Sequence, residues 1–453
     1  MELIEADVLV IGWGKAGKSI ARALGSAGRS VVMVERSSQM YGGTCINIAC
    51  VPTKALIHQA ELRRRPADDA AAWFAGAVAQ RDGLTAKLRA RNHAMLAEVE
   101  AVTVIDGQAR FVGEREVEVR AGAERLRVRA ETVVVNTGTR PARPELPGVD
   151  GPRIYDSTTL QAVQPLPPRL AVVGAGFIGL EFAQMFAHFG STVTLLNSGA
   201  RLLPHDDADV AAAVASTLAD SGVELRHGVR AQGFVDDGTQ VTVEFEGGTV
   251  VADAVLLATG RTPATEDLEL ATAGIDTDER GFVVVDDQLR TSAAGVFAVG
   301  DVNGGPQFTY ISYDDHRIVL DQLTGSGQRR TTDRIAVPTT TFLTPPLSQV
   351  GLSQTQAEAE GLNVQVLSRP VAEIAAMPRP KIVGETHGLI KFVVDADTGL
   401  ILGATLFCID SPELINLVAL AIRGGVPATA LRDGIWTHPS STEAFNEVLA
   451  GLR

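Results

Sequence analysis

The chain has 453 residues, 45% hydrophobic and 21% charged, ordinary globular proportions at a length that suggests about three domains with a sizeable core. A net charge of −14 and the lack of any dense Lys/Arg run argue against a nucleic-acid or anionic-membrane partner. Three cysteines are too few for a disulfide-stapled secreted scaffold, no apolar run is long enough for a membrane span, and the acidic start "MELIEADVLVIG" lacks the basic region of a signal peptide, so a cytoplasmic protein is expected.

The first 35 residues read strand, turn, helix, strand: "DVLVIG", "KAGKSIARALGSAG", "SVVMVE". The turn, "VIGWGKAGKS" (10–19), satisfies two patterns at once. Gly12, Gly14 and Gly17 make G-x-G-x-x-G, the turn of a dinucleotide fold. Gly12, Gly17, Lys18 and Ser19 make G-x-x-x-x-G-K-S, the P-loop of an NTPase. Alanine-rich helical periodicity then runs, with breaks, from Lys54 to about Glu100, followed by the β-type runs "VTVIDGQARFV", "REVEVRA" and "TVVVNTG". A Pro/Gly-rich segment, "RPARPELPGVDGP", closes the block.

At Leu170 the opening pattern returns as "LAVVGAGFIGLEFAQMFAHFGSTVTLLNS". Gly17 to Glu35 and Gly179 to Asn197 both span 18 positions, so the two stretches read as two versions of one nucleotide-binding module. The second module ends in "AVLLATGRTP", echoing "TVVVNTGTRP". A further segment carries "TSAAGVFAVGD" (291–301), and the polar "TGSGQRRTTDR" marks the last boundary. The remaining 120 or so residues hold no Gly-rich turn. They predict a hairpin in "LIKFVVDADTGLILGATLFCID", turning near Asp397 to Gly399, and helices through "ELINLVALAIRGG".

Each G-x-G-x-x-G follows an apolar strand and opens a helix, the context the motif requires. Gly12 and Gly174 suit the tight turn, Gly14 and Gly176 a close approach of backbone to pyrophosphate, and Gly17 and Gly179 close helix–strand packing. The helix N-terminus then offers N–H groups and positive dipole to phosphates. Glu35, at the end of its strand, can accept hydrogen bonds from ribose hydroxyls. Asn197 holds the equivalent place in the second copy. It can face a ribose diol without repelling a 2′-phosphate, and Arg201 nearby could help a phosphate, so NADH and NADPH both stay open. The P-loop reading needs an apolar strand ending in a magnesium-binding Asp. "VFAVGD" offers one at Asp301, but in a T-x-x-x-x-V-F-A-V-G-D pattern that resembles the second FAD fingerprint of flavoprotein reductases. Lys15 and Lys18 are then expected on the helix surface.

"GGTCINIACVPTK" (42–54) holds Cys45 and Cys50 with four residues between them. A zinc site needs two further ligands at close spacing; no second pair exists, and no metal is expected. The cysteines flank the expected start of a helix, whose N-terminus favours the reactive thiolate. A cytosolic disulfide is usually catalytic or redox-sensing. Cys408 stands alone and is expected in a core.

Together these motifs resemble the pyridine nucleotide–disulfide oxidoreductases over essentially the whole chain. The resemblance implies an α/β fold: two Rossmann-like FAD- and NAD(P)-binding domains plus a C-terminal α+β dimerisation domain. The expected boundaries are 1–152 for the first part of the FAD domain, 153–277 for the NAD(P) domain, 278–334 for the second part of the FAD domain, and 335–453 for the dimerisation domain. It implies that NADH or NADPH reduces FAD, FAD reduces a Cys45–Cys50 disulfide, and the dithiol reduces a substrate. Cys50 would face the flavin and Cys45 the substrate, with Lys54 near the flavin and paired with Glu181. Gly43, Thr44, Thr137, Gly138, Gly260, Gly300 and Asp301 join the turn residues as cofactor-binding. "THPSSTE" resembles the family's H-P-x-x-S-E signature, which makes His438 the acid/base, oriented by Glu443, in a homodimer where it reaches the partner subunit's disulfide. A finer resemblance, carried by "MYGGTCINIACVPTK", "QFTYISYDDHRIV", "TPPLSQVG" and "FCIDSPELIN", points to copper(II)- and hypothiocyanous acid-reducing members. The chain departs from the usual pattern at Ala49, Thr442 and Asn197. Its ending, "EVLAGLR", lacks the cysteine pair of mercuric reductases. Lipoamide dehydrogenase is the rival within the family, and a P-loop nucleotide-binding regulator the rival outside it.

Overall fold

The computed structural model describes residues 2–63 and 69–453; part of the alanine-rich stretch read from sequence, 64–68, lies outside the described residues. The run "VLVI" is buried on both faces at the centre of a parallel sheet, as continuous apolar strands demand. The strand Glu2–Ile11 pairs on one side with Val31–Glu35, which pairs with Val102–Asp106, and on the other with Glu124–Val135. Only the last residues of that long strand, Val133–Val135, receive Val296–Ala298 in parallel. Its first half carries the antiparallel meander Gln108–Gly113 and Glu116–Ala121. Residues nearly 300 positions from the start thus complete the first sheet.

Helix α1 (Lys15–Ser26) follows the first turn. A short helix α2 (Gly43–Asn47) precedes the alanine-rich region, whose described residues form α3 (Cys50–Leu62) and α4 (Ala70–Ala97). The second module repeats the plan. Strands Val223–His227, Thr192–Asn197, Arg169–Val173, Ala254–Leu257 and Ile154–Asp156 lie parallel in that order, with α5 (Phe177–Phe189) opening at the second Gly-rich turn and α6 (Ala208–Asp220) following. The echoing segments pair with each other, Thr139–Pro141 antiparallel to Arg261–Pro263, and so join the two modules.

Aromatic packing sets α4 against α5: Phe74 meets Phe189 edge-on at 5.0 Å between ring centroids, a contact of about 1 kcal/mol beyond its buried area. Helix α7 (Thr309–Thr324) packs on α1. The C-terminal block is a five-stranded antiparallel sheet. The predicted hairpin, Leu389–Asp395 with Ile401–Phe407, lies inside it, and Ser411–Arg423 packs across. Lys391, almost fully buried, reaches Asp207 and Asp209 at 3.0 Å and ties this sheet to α6. Among the described residues no helix is long and apolar enough to cross a membrane.

Candidate active site

The two cysteines do not share one helix start; each sits on its own helix, Cys45 within α2 and Cys50 as the first residue of α3. The Gly42–Gly43 pair makes this possible. Both have positive φ (100° and 71°), which glycine tolerates best, and a Cβ on Gly43 would lie 2.9 Å from Gly14 Cα. The GG step therefore lays α2 and its Thr44 against the first nucleotide turn. Cys45 and Cys50 are both free thiols, and each acts on the titration of the other. The hydrogen bond from Cys45, the Thr309 hydroxyl 3.3 Å away and the Lys54 charge lower the pKa of Cys50. Cys45, donating that bond and half-buried, is pushed up. The dithiol thus concentrates its negative charge at Cys50, where a helix N-terminus favours it.

Lys54, one turn along α3, donates to Glu181 Oε2 at 2.6 Å, joining α3 to α5 as expected. Its ammonium also lies 4.7 Å from the Phe342 ring centroid, while Glu181 Oε1 accepts the Phe342 N–H at 2.8 Å. Phe342, from the C-terminal block, locks the pair from a third side.

The first turn shows a residue that the sequence reading missed. Asn136, immediately before Thr137, accepts the Gly17 N–H at 2.8 Å and donates to the Val299 carbonyl at 2.7 Å. Its carboxamide fills the space beside Gly14, where a Cβ would lie 2.3 Å from Asn136 Oδ1. In the second copy the corresponding residue is Ala258, and Gly176 has nothing within 4 Å. The contrast "NTG" against "ATG" was the available signal. Three residues of α7 serve the same region: Thr309 touches Cys50, Ser312 Oγ accepts the Ala16 N–H, and Asp315 Oδ2 accepts the Gly300 N–H at 2.6 Å. They recur every three residues, so one helix face supports the cysteine and both parts of the first domain.

The first turn also borders a cavity of about 80 Å³, lined by Gly12, Glu35, Arg36, Gln108 and Thr137 among others. Glu35 Oε2 accepts the Trp13 N–H at 2.9 Å, and burial raises its pKa. The buried Thr137 hydroxyl has no protein partner among the described residues. Gly138 (φ 70°) has open space where a Cβ would be. With Asn136 and Ser312 holding the amides of Gly17 and Ala16, the Lys15 amide at the start of α1 has no described partner. An open glycine, an orphaned hydroxyl, a free helix-end amide and a carboxylate at the strand end suit a dinucleotide such as FAD. Asp301 lies beside the same strand end, its Oδ2 accepting from Thr139 Oγ1 at 3.2 Å, and the Gly300 N–H is held by Asp315.

In the second turn, Gly174 and Gly179 are forced by the backbone: their Cβ atoms would lie 2.5 Å from Ala258 O and 1.9 Å from Gly174 O. Gly260 (φ 122°) is open. Asn197 turns back on its own loop, donating to the Arg201 carbonyl at 2.9 Å and the Gly199 carbonyl at 3.1 Å. Arg201 donates to the carbonyls of Pro204 and Asp206. It helps close its own loop while its side chain stays exposed.

Two further expectations change. Lys18 is not a helix-surface residue: it is only 5% exposed and donates to Asn92 Oδ1 between α1 and α4. Ser19 Oγ donates to the Lys15 carbonyl at 2.8 Å. Both side chains that a P-loop would turn to phosphate and magnesium are engaged elsewhere, which removes the NTPase reading. Cys408 is fully buried in the C-terminal core as expected. His438 Nδ1 lies 2.8 Å from Glu443 Oε1, and its ring is 72% exposed. Among the described residues no contact joins it to the cysteines of its own chain.

Residues 6–315 match the model of the pyridine nucleotide-disulphide oxidoreductases, and residues 337–449 that family's dimerisation domain. The chain is 43% identical over 445 residues to the probable pyridine nucleotide-disulfide oxidoreductase RclA of Escherichia coli, covering 98% of each. It is 34% identical to a mercuric reductase of Staphylococcus aureus, covering 97% of this chain and 81% of the other. A dihydrolipoyl dehydrogenase of Thermus scotoductus is also 34% identical, with 98% and 97% covered. The solved Cu(II) complex of the HOCl-induced flavoprotein disulfide reductase RclA of Escherichia coli superposes with a TM-score of 0.95 at 42% identity, covering 99% of this chain and 100% of that one.

Proposed function

The chain belongs to the pyridine nucleotide-disulphide oxidoreductase family, and from that premise we propose that it is an oxidant-defence reductase acting on copper(II) or hypothiocyanous acid. It is an enzyme that uses FAD with NADH or NADPH. The observation that carries the reading is the Cys45–Cys50 pair, its charge concentrated at Cys50, set between a first nucleotide turn and a Lys54–Glu181 bridge to the second module.

Bound FAD supplies two-electron transfer between the nicotinamide and the sulfur pair. Gly12, Thr137, Glu35 and Asp301 would hold its phosphates and ribose hydroxyls, and Lys54 places a positive charge near Cys50. The disulfide takes up two electrons and two protons to become the dithiol. Cys45 is the exchange thiol. Toward hypothiocyanous acid, the Cys45 thiolate attacks its sulfur, and hydroxide leaves as water after protonation. Cys50 then attacks Cys45, re-forming the disulfide and releasing thiocyanate and one net proton. Toward copper(II), the dithiol gives one electron to each of two ions and releases two protons. The Nδ1 of His438 is held by Glu443, which leaves Nε2 to exchange protons.

The exposed ring of His438 and the dimerisation-domain match support a homodimer in which the partner subunit's His438 meets the cysteine pair. A catalytic dithiol suits a reducing compartment, and the cytoplasm is the proposed location. Steady-state turnover with NADH and NADPH against copper(II), hypothiocyanous acid, lipoamide and glutathione disulfide tests the substrate. Hypothiocyanous acid or copper(II) should exceed lipoamide by about tenfold or more in kcat/KM; faster turnover of lipoamide overturns the reading in favour of lipoamide dehydrogenase.

A further inference from the structure

Lys18 is left without a role once the P-loop reading is removed. Its ammonium is buried, and among the described residues no carboxylate lies within ion-pair distance of it; its hydrogen-bond partner is the neutral Asn92. An ammonium taken out of water without a counter-charge is costly and is rarely kept for packing alone. Its surroundings fix where it sits. Asn92 Nδ2 is anchored on the Leu88 carbonyl at 2.8 Å, and a Cβ on Gly42 would lie 3.0 Å from Asn92 Cγ. One turn earlier, Arg89 Nε donates to Asn47 Oδ1 at 2.9 Å. Helix α4 therefore grips both ends of α2, and through Asn92 it pins the Lys18 ammonium at the turn leading into Cys45.

We propose that Lys18 is a positioning residue for the reaction: its buried ammonium sets the electrostatic field at Cys45 and stabilises the thiolate that forms there when the dithiol acts on its oxidant. This rests on the assignment of Cys45 as the exchange thiol. Each sulfur then has its own lysine, Lys54 for Cys50 and Lys18 for Cys45. Cys45 and Lys18 each favour the other's charged form, while burial moves the Lys18 pKa down to about 8, leaving it largely protonated at neutral pH. The other charged, titratable or hydrogen-bonding groups that act on the two are Lys15 on α1, Cys50 on α3 and Thr309 on α7; on the elements packed against them, Arg89 of α4 is bonded to Asn47 of α2 and His93 of α4 lies against Tyr41, and the partner subunit's His438 joins them in the proposed homodimer.

The test is the pH dependence of iodoacetamide alkylation of the NADH-reduced holoenzyme, with Cys45 and Cys50 peptides quantified separately by mass spectrometry. Lys18→Gln keeps a donor for Asn92 and loses the charge; Lys18→Arg keeps the charge. The Cys45 midpoint should rise by about one pH unit in Lys18→Gln, slowing alkylation at neutral pH about tenfold, with Cys50 unmoved and Lys18→Arg near the unaltered enzyme. An unchanged midpoint in Lys18→Gln, equal displacement in Lys18→Arg, or loss of flavin from Lys18→Gln overturns the inference in favour of a structural role. A first oxidant adduct trapped on Cys50 and not on Cys45 in the unaltered enzyme overturns instead the exchange-thiol assignment, and the inference with it.

Discussion

The carboxamide of Asn136 occupies the space that a side chain on Gly14 would need, 2.3 Å from the position of its Cβ. The middle glycine of the first turn is thus demanded by the protein's own packing, whereas Gly176, its counterpart, has nothing within 4 Å. Gly14→Ala should overpack the turn, at about 2 kcal/mol, and purify with little flavin and a lowered Tm. Gly176→Ala should fold with normal flavin but raise the KM for NAD(P)H about tenfold, because only the cofactor's approach is obstructed. Equal flavin loss in both variants would refute the distinction.

Lys54 faces Cys50 as well as Glu181. Removing its charge in Lys54→Met takes away one of the groups that lower the Cys50 pKa, so the thiol should titrate higher. The sign is direct: with less opposing charge the thiolate appears only at higher pH. In the reduced holoenzyme the long-wavelength absorption of a thiolate against flavin should shift its midpoint upward by about one unit. Glu181→Gln leaves Lys54 in place without its partner and should move that midpoint less. A midpoint unmoved in Lys54→Met would remove Lys54 from the electrostatics of Cys50.

Much of this arrangement was legible in the residues, and what was missed has a common cause. Repeated glycines at fixed spacing after apolar strands announce two nucleotide modules, because tight turns and close packing admit little else. "GGTC" and the pair Cys45–Cys50 announce redox chemistry for similar reasons. Asn136, Lys18 and Asn92 were missed because their meaning lies in contacts across the chain. Asn136 meets Gly17 from 119 positions away, and Lys18 meets Asn92 from 74. A lysine after a glycine on an amphipathic helix reads as surface; only the packing of α4 over α1 buries it.

Glu443 holds His438 and is itself kept below the usual carboxylate range by that histidine and by the Ser440 N–H. It should stay ionised throughout the working pH range. His438→Ala should slow turnover of hypothiocyanous acid about a hundredfold, and Glu443→Gln about tenfold, while stopped-flow reduction of the flavin by NADH is unchanged. Heterodimers of one His438→Ala subunit and one Cys45→Ser subunit should recover about half the activity, since one composite site is intact. No recovery would show that the histidine serves the cysteines of its own chain.

The burial of Lys18 should also be visible in the stability of the fold. Its pKa falls from 10.5 to about 8, so between those values the unfolded chain binds more protons than the folded one, and stability contributed by this group rises with pH. Below about pH 8 the lysine is charged in both states and its full burial cost is present, at most ~3 kcal/mol for a shift of this size. Lys18→Met removes that cost. It should melt higher than the unaltered holoenzyme at pH 7, with the difference shrinking as pH rises toward 10 while Cys45 reactivity is lost at neutral pH. The same substitution would then stabilise the fold and impair the chemistry, the signature of a buried charge retained for function. A Tm difference constant from pH 7 to 10 would show that the Lys18 ammonium is not destabilised by its burial.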